Sequence, residues 1–226
     1  AFKTVDIQES RLTRFESGGK LHFTDRYAYE RAAYLLDREL GLRMVPLTIL
    51  REIDGKKGAL IAWIEDAVSE ADRRTRTLGQ EATRAVLCQQ DLMRVFDALI
   101  ANDDRNLGNQ LYTADGWRLH LIDHSRAFRM VRRLPDSYVS QPSNLPRWLL
   151  ERLERLDGDR LREVMEGTVS RARIRSLLAR RDRIVEKARE DVERYGDGIV
   201  FHEATCPPLT TTPPPEPGAA ATGGER

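Results

Sequence analysis

The chain has 226 residues, enough to bury one sizeable core or two small lobes. A hydrophobic fraction of 40% belongs to a folded globular chain rather than a disordered one. Net charge is +1, with 32% charged residues of mixed sign, so nothing points to nucleic acid or an anionic membrane, and no apolar run is long enough to span a bilayer.

Ala1 to Ile7 reads as a short strand. Lys3 lies inside its apolar run, where a strand-centre lysine can reach a cleft and meet phosphate as a compact positive charge. A surface lysine laid over apolar neighbours fits the same residues. Ser17-Gly18-Gly19 reads as a loop, and Asp25 to Leu40 as a helix capped by Thr24 or Asp25 and closed by Gly41. Glu30, in mid-helix, is a partner for Lys3 or, one turn away, for Arg26. Val45 to Ile53 and Ala59 to Ile64 read as strands around the turn Asp54-Gly55-Lys56-Lys57-Gly58. Polar Ser69 to Gly79 reads as a connection to a long helix from about Gln80 to Ala101.

Leu111-Tyr112 and Trp117 to Ile122 make a hairpin. Pro146–Leu156, Asp159–Glu166 and Arg171–Tyr195 read as helices. The last carries Ile174, Leu177, Leu178, Ile184, Val185, Ala188, Val192 and Tyr195 on one face and ends at Gly196. From Cys206 the composition turns to Pro, Thr, Ala and Gly, and residues 204–226 are expected to be a disordered tail. Cys88 and Cys206 give neither a disulfide framework nor metal-ligand spacing. They read as a small core residue and a free thiol, fitting a reducing compartment. With no signal peptide visible, a cytoplasmic location is expected, although a start at Ala1 rather than Met leaves an upstream segment open.

The segment richest in chemistry is Asn102-Asp103-Asp104-Arg105-Asn106-Leu107-Gly108-Asn109, followed by Leu121-Ile122-Asp123. Phosphoryl transfer needs a carboxylate to orient the attacking hydroxyl, and an amide and a second carboxylate to hold magnesium on the nucleotide. Asp104 supplies the first and is preferred to its neighbour Asp103 for its spacing to Asn109. Asn109 and Asp123 come together at the open end of the antiparallel hairpin, where magnesium needs few protein ligands. Turn residues alone account for the same letters, since Asn, Asp and Gly all favour turns.

These residues, with Ala1-Phe2-Lys3-Thr4-Val5-Asp6, Tyr29-Glu30-Arg31-Ala32-Ala33-Tyr34, Phe96 to Asn102, Asp123-His124-Ser125-Arg126-Ala127-Phe128 and Leu178-Ala179-Arg180-Arg181-Asp182, resemble the atypical kinase superfamily. Bacterial phosphatidylinositol 3- and 4-kinase-like and HipA-like proteins are the nearest in pattern. The resemblance implies an α+β, bilobal, protein-kinase-like fold. It would have a small strand-rich N-lobe over residues 1–68 and a helical C-lobe over 69–203 that carries the catalytic loop and the metal-binding hairpin. It implies ATP and Mg2+ as cofactors, Lys3 on nucleotide phosphate, Glu30 holding Lys3, Asp104 as base, and Asn109 and Asp123 on the metal. Trp63, Ile64 and Glu65 would lie beside adenine. The acceptor would be a protein, a lipid or a small molecule. The pattern departs from the family at Asn106, where lipid kinases carry histidine, at His124-Ser125, where Phe-Gly is usual, and in having no glycine-rich loop before Lys3. Two rival readings are a nucleotide-binding pseudokinase and a metal-dependent phosphoesterase built on Asp103, Asp104, Asp123 and His124.

Overall fold

The computed structural model describes residues 1–8, 12–15, 18–21, 24–78, 83–113 and 116–202. The 204–226 tail, Cys206 and Ser17 lie outside the described residues.

The chain opens with β1 (Phe2–Lys3) and β2 (Asp6–Gln8), two strands where one was expected, then β3 (Leu12–Phe15), β4 (Gly18–Leu21) and β5 (Thr24–Arg26). Gly18 and Gly19 are strand residues paired with Phe15 and Arg14, not loop. Thr24 and Asp25 do not cap a helix, because they pair with Gln8 and Ile7 in extended conformation. Helix α1 (Tyr27–Leu40) therefore starts after Arg26. It ends at Gly41, whose φ of +65° suits a left-handed C-cap. A Cβ there would meet the Arg152 guanidinium at 1.8 Å. Gly41→Ala is expected to lower stability by about 1–2 kcal/mol, since the left-handed conformation strains any residue with a Cβ. Urea unfolding measures this, and an unchanged midpoint would refute it.

β6 (Thr48–Ile53) and β7 (Lys56–Ile61) form the expected hairpin and, with β1, an antiparallel sheet in the order β1-β7-β6. β6 starts later than read because Val45 N–H is taken by the buried Asp37 carboxylate and Pro46 has no N–H to give. The connection from residue 62 leads to β8 (Ala67–Ser69). The segment read as irregular, Ser69 to Gly79, contains helix α2 (Glu70–Thr75). Its signal is local: Ser69 Oγ accepts from Asp72 N–H at 3.1 Å, and Arg73 and Arg74 ion-pair to the buried Glu70 carboxylate.

Helix α3 (Thr83–Ile100) leads through a loop and a 3₁₀ turn, Leu107–Asn109, to β9 (Gln110–Thr113) and β10 (Arg118–Leu121). These two pair antiparallel as expected, and β8 extends them into a second sheet. Cys88 on α3 is buried, as expected of a small core residue, but it is disulfide-bonded, which corrects the expectation of no disulfide on which a reducing compartment rested. Helices α4 (Asp136–Val139), α5 (Arg147–Glu154), α6 (Gly158–Val164), α7 (Arg171–Tyr195) and α8 (Asp197–Val200) complete the chain. No helix among the described residues is long and apolar enough to cross a membrane.

One apolar cluster joins Tyr29 and Leu36 of α1, Phe96 and Leu99 of α3, Tyr112 and Leu119 of the hairpin, and Ile174 and Leu177 of α7. Ile174, Leu177, Ile184, Val185 and Ala188 of the α7 stripe are core, as their spacing predicts, Leu178 and Val192 pack partly buried against it, and Tyr195 at the helix end is exposed instead. Arg180 of the same helix is fully buried. Its Nε donates to Leu99 O at 2.8 Å and its Nη1 to Arg129 O at 3.0 Å and to Val131 O. Burial, with Arg129 nearby, lowers its pKa to about 10. Arg173 Nη1 donates to Phe128 O at 2.6 Å. Two arginines of α7 thus fix the 128–131 segment, which immediately follows the candidate site.

Candidate active site

Lys3, Glu30 and Asp123 meet although they are far apart in sequence. Lys3 Nζ donates to Glu30 Oε1 at 3.0 Å across 27 residues and to Asp123 Oδ1 across 120. β1 supplies the lysine; its neighbour Phe2 pairs with Leu60, so Lys3 points to the opposite face of the sheet. α1 presents Glu30 on its buried side. Arg26, the alternative partner for Glu30, turns instead to Asp6 at 2.6 Å. Asp123 follows β10 with φ +60°, a left-handed conformation that aspartate tolerates better than most residues.

Glu30 also accepts from His124 N–H at 3.0 Å and contacts His124 Nδ1 at 3.3 Å. On its other side, His124 Nε2 lies 3.0 Å from Arg105 Nη2. A guanidinium only donates, so Nε2 accepts and Nδ1 carries the proton that faces Glu30. Burial pushes the Glu30 carboxyl up, but the His124 hydrogen bonds and the Lys3 ammonium outweigh it and hold the pKa at about 2. Burial lowers Lys3, and the two carboxylates more than reverse this, leaving it raised. Because the folded pKa of Glu30 lies below its ordinary 4.5, its ionised form stabilises the fold fully above pH 4.5. That contribution is lost as pH falls toward 2. The stability gap between wild type and Glu30→Gln is therefore expected to be widest at neutral pH and to narrow through this acid window. Urea midpoints across pH test this, and a gap constant with pH would contradict it.

Arg105 is the hub that sequence reasoning missed. It pairs with Asp97 at 2.9 and 3.1 Å, and its Nη1 donates to Asn109 O at 2.8 Å and Ile122 O at 2.7 Å. Asn102 Nδ2 donates to the same Asp97 at 3.0 Å. The two carbonyls belong to the mouth of the hairpin, closed by Ile122 N–H donating to Asn109 O at 3.2 Å. Asn109 and Asp123 thus stand at the same end of the hairpin. Asn109 Nδ2 donates to Asp104 O at 3.3 Å, and Asn106 Oδ1 accepts from Gly108 and Asn109 N–H, so Asn106 shapes the loop. The sequence signal for Arg105 was its adjacency to Asp104, but nothing in the spacing tied it to Asp97.

The two adjacent carboxylates diverge. Asp104 Oδ2 accepts from Arg126 Nη1 at 3.0 Å, and Arg126 Nε reaches Asp25 at 3.0 Å. Asp103 pairs with Arg129 at 2.5 Å. With Asp103 and Asp104 turned apart and both ring nitrogens of fully buried His124 engaged, the four ligands of the phosphoesterase reading do not converge. Trp63, Ile64 and Glu65 lie on the connection between the two sheets, and Trp63 is 76% exposed. Asp123, 40% exposed, and Asn109 offer hard oxygen atoms that suit Mg2+.

This arrangement of strands, helices and hairpin is a kinase-like fold, shared with solved kinase structures. Hydra Fam20 with sugar superposes with a TM-score of 0.65 at 14% identity, over 89% of this chain and 80% of that one. The Golgi casein kinase with Mn/ADP bound gives 0.59 at 14% identity, over 88% and 73%. The Helicobacter pylori proinflammatory kinase CtkA gives 0.52 at 14% identity, over 74% and 84%. No known protein family and no curated protein matches the sequence.

Proposed function

We propose that the chain is an ATP- and Mg2+-dependent phosphotransferase of the atypical-kinase type, working between a strand-rich lobe, residues 1–68, and a helical lobe, residues 69–203. The carrying observation is the meeting of Lys3, Glu30 and Asp123, with Lys3 Nζ 3.0 Å from Glu30. Glu30 is buried while Lys3 and Asp123 stay partly exposed, so a paired, desolvated carboxylate aims a lysine at a solvent-accessible aspartate, an arrangement that suits a functional site. The motifs from Asp104 to Asn109 and from Asp123 to Phe128 favour a phosphatidylinositol 3- and 4-kinase-like or HipA-like member.

When bound, Mg2+-ATP supplies the transferable phosphoryl group and the positive charge that offsets its developing negative charge. Lys3, aimed by Glu30, holds nucleotide phosphate. Asp123 and Asn109 hold the metal. Trp63, Ile64 and Glu65 flank adenine. Asp104, steadied on one oxygen by Arg126, accepts the proton of the attacking hydroxyl on the other. The acceptor hydroxyl belongs to a protein, a lipid or a small molecule.

A thermal-shift titration with ATP and Mg2+ tests the site. Wild type is expected to gain stability as ligand exceeds its dissociation constant, by about 2.7 kcal/mol at a hundredfold excess, and Asp123→Ala to gain none. Absence of a magnesium-dependent shift in folded wild type would defeat the proposal. A shift without phosphate transfer to any acceptor, or to water, would instead support the pseudokinase reading.

A further inference from the structure

A cavity lies against the catalytic loop and outside the Lys3–Glu30–Asp123 cluster. Its volume is about 590 Å3, within the roughly 300–1,000 Å3 typical of small-molecule sites. One wall is a face of α3 carrying Met93, Arg94 and Ala98. Another is the segment from Arg129 through Leu134 and Pro135 to Tyr138. Asn102, Asp103 and Arg105 of the loop also line it.

The cavity's charges are unevenly committed. Arg105 and Asp97 neutralise each other through two hydrogen bonds, and Arg129 and Asp103 form a direct pair. Arg94 has only a 3.5 Å contact with Asp91, whose other oxygen takes Asn144 Nδ2 at 2.7 Å. Arg133 is exposed and has no hydrogen bond or ion pair among the described residues. Against these two guanidiniums stands the exposed carboxylate of Asp136. Positive charge is in surplus, and the same two walls carry apolar Met93, Ala98, Leu134 and Pro135. The wall is also held in place, because Arg180 and Arg173 of α7 bind the carbonyls of Phe128, Arg129 and Val131. A held wall loses little freedom when a ligand arrives, which favours binding.

We propose that this cavity binds a small organic anion, a phosphomonoester or carboxylate with an apolar body, whose charged group is taken by Arg94 and Arg133. Guanidinium groups suit both anions through paired N–H donors. The site stands independently of the phosphotransferase reading, since none of its anchoring residues belongs to the Lys3 cluster. It nevertheless shares Arg105 with the hairpin mouth, so its occupant adjoins the network that places Asn109 and Asp123.

Phenyl phosphate and benzoate, titrated calorimetrically into the full chain, are the probes, with benzyl alcohol as the neutral control. At least one anion is expected to bind saturably. Arg133→Glu is expected to weaken it about tenfold or more, equivalent to about 1.4 kcal/mol. Arg94→Glu should do the same, and Lys3→Met should leave binding unchanged. Arg133 is exposed, so its variant is expected to fold, which circular dichroism checks. Failure of both anions to bind would overturn the proposal, as would equal binding of benzyl alcohol or affinity indifferent to Arg133→Glu. Loss of binding in Lys3→Met would instead place the anion in the nucleotide cluster and equally refute this site.

Discussion

Asp104→Asn is expected to lower phosphoryl transfer by about 10²–10⁴-fold, the range for removing a general base, while the fold and nucleotide binding persist. Asp103→Asn is expected to leave the rate near that of wild type. The contrast rests on where the two carboxylates point. Asp104 is steadied by Arg126, which neighbours Ser125 and Asp123, and its backbone carbonyl takes Asn109 Nδ2 at 3.3 Å. Asp103 turns to Arg129, on the wall of the adjoining cavity. Asparagine keeps an oxygen for Arg126 but cannot take a proton, so the substitution isolates proton acceptance from positioning. Single-turnover kinetics at saturating nucleotide provide the readout. A large loss in Asp103→Asn with an active Asp104→Asn would transfer the role to Asp103.

The largest expected effect on stability is at Arg105. Arg105→Ala removes a cation whose side chain is 8% exposed and leaves the Asp97 carboxylate, 11% exposed, without its counter-charge. Breaking one partner of a buried pair typically costs about 3–5 kcal/mol. The same deletion strips a donor from Asn109 O, Ile122 O and His124 Nε2. Arg105→Lys is expected to recover only part of the loss, because a single ammonium cannot span four acceptors placed for a planar fork. The urea midpoint should fall by more than about 1 M at an ordinary small-protein slope. A loss below about 1 kcal/mol would mean that this network is not what holds the hairpin mouth.

The electrostatic arrangement explains why a site with so many charges folds. Each buried acid has a named donor: Glu30 has Lys3 and His124, Asp97 has Arg105 and Asn102, and Glu70 has Arg73 and Arg74. Asp37 is less fully compensated: the N–H groups of Met44 and Val45 bind one of its oxygens at 2.7 and 3.1 Å, and the Arg38 guanidinium stands 3.4 Å from the other. Burial raises its pKa to about 6. That carboxyl anchors the loop between α1 and β6, and Leu121 N–H then reaches Met44 O at 2.9 Å. The first sheet and the hairpin are thereby linked through backbone.

By itself the sequence determined the elements whose signals are local. Helix α7 ran over its expected residues because its apolar stripe keeps helical spacing and Gly196 ends it, and α1 closed at Gly41 because glycine tolerates a positive φ. The hairpin was legible from two apolar strands flanking a turn. The order of Lys3, Glu30, Asp104, Asn109 and Asp123 was legible as well. Their convergence was not, because contact across 120 residues depends on how sheet, helix and hairpin pack rather than on spacing. Boundaries set by pairing were misread for the same reason: Thr24 and Asp25 look like caps until Asp6 to Gln8 is seen beside them, and Gly18-Gly19 looks like loop until Leu12 to Phe15 pairs with it. Only the tertiary structure decided that Asp103 and Asp104 part company, that His124 is a buried link rather than a ligand, and that Arg105 joins Asp97 to the hairpin mouth. Those are choices among hydrogen-bond partners distant in the chain, and no local propensity encodes them.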